Sequence, residues 1–125
     1  MQRGPRKVIL MDSISHVDAG DAGHIVVSGS HGGASAGEFA AAQPLAAAFF
    51  NDAGVGKDNA GIVALDLLER KNIPAGTVSH ASARIGEAQD TWENGVISHL
   101  NASARALGLQ AGVRLRDAVE RLLGR

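Results

Sequence analysis

Residues 25–38, IVVSGSHGGASAGE, place one histidine among four glycines directly after an apolar run. Histidine ordinarily titrates near neutral pH, so His31 is a candidate general acid or base. Two more polar stretches follow apolar runs in the same way. They are Asn51-Asp52-Ala53-Gly54-Val55-Gly56-Lys57 and Ser79-His80-Ala81-Ser82-Ala83-Arg84. Together they describe a site in which His31 or His80 moves a proton and Asp52 orients or activates the ring. Ser30, Asn51 and Ser82 would hold a substrate. Backbone amides around Gly29, Gly32, Gly33, Gly54 and Gly56 would bind an anion, because glycine permits close approach and helix N-termini are electropositive. Lys57 and Arg84 would neutralise a carboxylate or phosphate. The implied function is hydrolase or lyase chemistry on a small polar or anionic metabolite. A non-catalytic ligand-binding or assembly module using the same residues is the alternative.

Other patterns fit less well. Gly33–Gly37 satisfies G-x-S-x-G, but a nucleophile elbow needs its strand immediately before the pattern, and SGSHG intervenes. Gly54-Val55-Gly56-Lys57-Asp58 lacks both the glycine spacing of a P-loop and the Ser or Thr after Lys that would hold magnesium. His16, Asp18, Asp21 and His24 offer metal-capable side chains in one loop, at spacings that match no tight template. A metal-dependent hydrolase built there is a third reading, and no other cofactor is expected. His99 falls in an expected helix and reads as a packed or surface residue.

Composition narrows the class. The chain has 125 residues, enough for one domain, with 45% hydrophobic and only 3% aromatic residues, so Ala, Val, Ile and Leu must build the core. A formal charge of −1 and few aromatics offer no electrostatic or stacking surface for nucleic acid. Cysteine is absent, which removes disulfides, thiolate nucleophiles and Cys-ligated zinc. The basic start MQRGPRK leads into an apolar run too short for a signal peptide. AAAQPLAAAFF is interrupted by Gln43 and Pro44, and falls far short of the ~20 residues of a membrane span. These features point to a cytoplasmic protein with a small-molecule ligand. Ala-rich faces also favour a homo-oligomer.

The elements that must position these residues follow from periodicity and punctuation. Lys7–Ser15, His24–Ser28, Ala47–Asn51 and Gly76–Ser79 read as strands. The link between the first two is too short for a helical crossover, which allows an antiparallel pair. Helices are expected over residues 34–43, from Asp58 or Asn59 to about Lys71, and over Leu115–Leu123. Asp90 and Glu93 have capping-box spacing, which predicts a long helix carrying Trp92, Val96, Leu100, Ala104 and Leu107 on one face and ending at Gly108. The fold class is α/β: a small three-layer Rossmann-like domain of about four mostly parallel strands flanked by helices. Its carboxyl edge would gather the three polar stretches.

Overall fold

A computed structural model describes residues 6–124; the basic residues 1–5 lie outside the described part. The strands are Val8–Met11 (β1), Ile25–His31 (β2), Ala47–Asn51 (β3), Ala75–Val78 (β4) and Ile97–Leu100 (β5). They form one sheet in the order β1-β2-β3-β4-β5. The first four run parallel and β5 is antiparallel to β4. The helices are Ala34–Ala41 (α1), Val63–Glu69 (α2), Ala88–Asn94 (α3), Ala102–Ala106 (α4) and Leu115–Leu123 (α5).

Strand periodicity divides the core into two layers. Ile25, Val27, Ala47 and Phe49 face one side, where Trp92 of α3, Ala104 of α4 and Leu115 and Val119 of α5 cover them. Val26, Ala48 and Phe50 face the other side, against Ala36 and Ala40 of α1 and Ala64, Leu65 and Leu68 of α2. Every residue of β3 is buried, as expected of a central parallel strand covered on both faces.

Several boundaries differ from the sequence reading. The first two strands are parallel, and no helix is needed between them. Two 3-10 turns, Ile14–His16 and Ala19–Asp21, carry the chain across, capped by Ser13 and Asp18. Strand one therefore stops at Met11, before Ser15. The second strand runs on to His31 instead of stopping at Ser28. Asp58 and Asn59 do not cap a helix. Both have left-handed backbones, φ 56° and 60°, inside a 3-10 segment Lys57–Ile62 that precedes α2.

The expected long helix after Asp90 is three elements. Asp90 and Glu93 lie inside α3, whose N-cap is Glu87. The helix stops at Gly95, where a Cβ would meet Val78 Cγ1 of β4 at 2.7 Å. The Thr91 carbonyl of α3 would stand closer still, so the helix end and β4 together leave no room for a side chain there, and the chain turns into β5. Trp92, Leu100 and Ala104 consequently sit on α3, β5 and α4.

Asn101 holds the exit from β5. Its Oδ1 accepts from the amides of Ala75 and Ala104, each at 3.0 Å. Its Nδ2 donates to the carbonyls of Leu65 and Ile73 at 3.2 and 3.0 Å. One buried amide thus caps α4 and ties it to α2 and β4. Asn101→Ala should cost about 3 kcal/mol in urea denaturation, because it leaves buried backbone groups unpaired and removes a cap; a loss below about 0.5 kcal/mol would show that α4 is held by its apolar contacts alone.

Candidate functional site

The carboxyl ends of β2, β3 and β4 share one edge because these strands are parallel. At the middle of that edge the chain leaves β3 through two buried polar residues. Asn51 donates from Nδ2 to the Ala83 carbonyl at 2.9 Å and accepts from the Ala53 amide at 2.8 Å. Asp52 accepts at Oδ1 from the amides of Gly54 at 2.8 Å and His80 at 3.0 Å. The ring nitrogen Nδ1 of His80 lies 3.4 Å from the same oxygen; the His80 side chain is 61% exposed and the Asp52 side chain 7%.

Partial burial pushes the Asp52 carboxyl up. The Gly54 amide, the Ser98 hydroxyl and the amide and ring of His80 more than reverse this, and hold it below its ordinary value. Magnitudes decide what fixes the carboxylate. Hydrogen bonds to a charged group contribute about 1.5–3 kcal/mol each, whereas a solvent-facing ion pair contributes about 0–1 kcal/mol. The amides therefore set the position of Asp52, and Asp52 in turn orients His80. With Nδ1 turned toward Asp52, Nε2 is the ring nitrogen left without that contact.

The other expected site residues fall into three groups. Asn51, Gly54 and Ser82 lie close to the Asp52–His80 pair in structural roles. Ser82 donates to the Ser79 carbonyl at 2.7 Å and accepts from the Val96 amide at 2.9 Å. Gly54 packs beneath the imidazole, where a Cβ would come 3.4 Å from His80 Cε1. The second group stands apart. His31 pairs with Asn51 in the sheet, but its ring lies against Gly33, and with Ser30, Ser35 and Phe39 it lines a separate hollow of about 120 Å³. Ser30 Oγ accepts from the Ile14 amide at 3.0 Å. In the third group, Lys57 is exposed and Arg84 reaches Glu87 at 3.8 Å.

The glycine-rich stretches do not form an open cradle. Residues 53–56 all have positive φ, at 53°, 75°, 68° and 74°. Their amides are occupied in order by Asn51 Oδ1, Asp52 Oδ1, the Asp52 carbonyl and the Gly54 carbonyl. Gly29 lies within β2, where a side chain would run into the Gly86–Glu87 backbone, and one at Gly32 would meet the Gly61 carbonyl. These glycines let backbones cross closely. The amides of the first turn of α1, which begins after Gly33 without a side-chain cap, are where an anion would find donors.

In the loop at 16–24, the carboxylates have local partners. Asp18 Oδ1 accepts from the Gly20 amide, Asp21 Oδ2 from the Asp18 amide, and His24 Nδ1 from the Lys7 amide. Among the described residues no group of three or more His, Asp or Glu is placed to share a metal ion.

Two residues not expected in the site enter it from β5. Val78 pairs with Ile97 and Thr77 with His99, so Ser98 is the extra residue of a β-bulge. Ser98 and His99 both line a groove of about 810 Å³ between the 57–69 segment and β5–α4. The short VISHL run between Gly95 and Asn101 was the available signal: an apolar, β-branched start, a breaker on one side and a capping residue on the other.

No family model, curated protein or solved structure matches this chain.

Asp52→Asn keeps an acceptor for the Gly54 and His80 amides but removes the charge. The variant should be about 1–2 kcal/mol less stable than wild type at pH 7. A carboxyl whose pKa is lowered by folding stabilises above its unfolded value, near 3.8, and loses that contribution as the pH falls through the folded value. The gap between the two proteins in urea denaturation should therefore close on acidification below pH 3.8; a gap that is constant with pH would remove the charge from the account.

Proposed function

We propose that this chain is a small α/β enzyme of hydrolase or lyase type acting on a small polar or anionic metabolite at the carboxyl edge of its sheet. The observation that carries the reading is the Asp52–His80 pair: a buried carboxylate, fixed by two amides, oriented toward an imidazole whose far side is open. Such a pair suits proton abstraction or the activation of water. Asp52 stabilises the imidazolium that forms when Nε2 takes a proton, and the ring returns that proton to a leaving group. An anionic group on the substrate would meet the exposed Lys57, which the loop after Asp52 carries. Asn51 and Ser82 keep the pair in register by holding the loops that carry it.

A cytoplasmic location and a homo-oligomeric assembly belong to the same proposal. Among the described residues no helix is long and apolar enough to cross a membrane, and Leu10 and Phe39 are exposed apolar side chains that self-association would cover.

The test is a turnover screen of small amides, esters and hydroxy acids, followed by variants against any active compound. His80→Gln should lower kcat about 10²- to 10⁴-fold, the usual contribution of a positioned acid–base group. It should also erase one limb of the pH–rate profile. Asp52→Asn should lower kcat less and leave KM within a few fold. Turnover unchanged in both variants would remove the Asp52–His80 pair as the catalytic group, and no turnover of any compound would favour the binding-module alternative.

A further inference from the structure

The two outer edges of the sheet are finished differently. The β5 edge is covered. Val96 bridges to Arg114, the Ile97 amide donates to the Val113 carbonyl at 2.9 Å, and the Gly112 amide donates to the Ile97 carbonyl at 2.8 Å. β1 is paired on one side only, with β2. The Lys7 amide donates to His24 Nδ1 and the Lys7 carbonyl accepts from the Ile25 amide, so both backbone groups of Lys7 turn toward β2. In a parallel ladder successive residues turn these groups alternately to either side. The amides and carbonyls of Val8 and Leu10 therefore point out of the sheet, and among the described residues nothing pairs with them.

Proteins ordinarily blunt such an edge with a charge, a proline or a bulge. β1 is Val8-Ile9-Leu10-Met11, apolar throughout, and its register with β2 is unbroken. A second copy of the chain fits this edge. With the copies antiparallel about a two-fold axis at Ile9, Val8 of one meets Leu10 of the other, and each such pair exchanges both of its hydrogen bonds. The same register sets the exposed Arg6 opposite Asp12. Asp12 Oδ1 is held by the Ala88 amide, which leaves its second oxygen for the guanidinium. A register one residue off opposes outward groups to inward ones. A register two residues off leaves Arg6 facing Leu10, or Asp12 facing Val8.

We propose that β1 is the interface of a two-fold homodimer, in which two β1 edges join antiparallel about Ile9 into one continuous sheet. The assembly closes at two copies, because the edges left outside are the covered β5 edges. An antiparallel join turns the two carboxyl edges in opposite directions and leaves both Asp52–His80 pairs uncovered. The proposal rests on the homo-oligomeric part of the function proposed above and is independent of the Asp52–His80 pair.

The chain has no cysteine, so Ile9→Cys brings in one thiol per copy. Facing residues of a non-hydrogen-bonded antiparallel pair have Cα atoms about 4.5 Å apart, within disulfide reach. In a buffer of oxidised glutathione, full-length Ile9→Cys should cross-link at least about tenfold faster than Leu10→Cys, whose thiols stand opposite Val8. Sedimentation velocity from about 1 to about 500 µM should show wild type passing from monomer to dimer. Leu10→Pro removes an outward amide and spares the ladder to β2, and Arg6→Glu sets two acids together. Each should weaken the dimer about tenfold or more, with the far-UV circular dichroism unchanged. Arg6→Glu carries the test if Leu10→Pro does not fold. Wild type that stays monomeric, with both cysteine variants equally slow, overturns the interface and the homo-oligomer together and leaves the edge to a strand of another protein. A dimer that both Leu10→Pro and Arg6→Glu leave intact, or in which Leu10→Cys cross-links as fast as Ile9→Cys, overturns this interface and keeps the homo-oligomer.

Discussion

The site edge depends on a constraint at the end of β3. This strand is buried on both faces, so the chain must leave it inside the protein, where an unpaired amide or carbonyl is costly. Asn51 and Asp52 resolve this locally. Their side chains take up the Ala53, Gly54 and His80 amides and the Ala83 carbonyl. Two loop segments, 53–54 and 80–83, are thereby fixed to the last residue of β3 and the one that follows it. His80 is placed by its own backbone amide, bound to the carboxylate that also orients its ring.

Close backbone crossing is the second consequence. The loop after β3 folds back until Gly61 packs against the Asp52 carbonyl, and Gly32 meets Gly61 from β2. On the other side Gly29 meets Gly86 and Glu87, whose segment carries the chain into α3. A side chain at any of these points would separate elements that converge on Asp52. The abundance of glycine after β2 thus has its physical cause in backbone-to-backbone contact; the Gly29 and Gly32 amides bond across to the Asp12 and Asn51 carbonyls, and those of residues 53–56 bond to Asn51, Asp52 and Gly54. Val55 shows how tightly the loop is drawn: a β-branched residue stands at φ 68°, a conformation such residues rarely adopt.

Local signals made some of this legible in advance. Ala47–Asn51 and Leu115–Leu123 have the bounds expected from the sequence, because an apolar run stopped by Asn-Asp-Ala-Gly and an amphipathic repeat are both short-range patterns. The parallel α/β class and the polar carboxyl edge followed from the alternation of elements. What was not legible depends on distant partners. β5 is four residues between the helix-forming AQDTWEN and the Ala-rich ASARA, so its helical surroundings dominated the reading until Gly95 met Val78 across the sheet. The β1–β2 crossover looked too short because a helix was assumed, when two capped 3-10 turns suffice. Asp58 and Asn59 have capping chemistry, but the fold-back to Gly61 drives their backbones left-handed. Ser98 and His99 could not be assigned to the edge without the bulge that turns both toward one groove.

Asp52 and His80 differ in a way that bears on their chemistry. The carboxylate is buried and charged, while the imidazole beside it stands mostly in solvent. Water screens the attraction between them, so in the free protein Asp52 supplies orientation more than strength. A ligand that covers His80 would displace that water and raise the effective interaction, making the carboxylate a stronger support for a protonated ring. The pair therefore gains its full effect only when something occupies the edge.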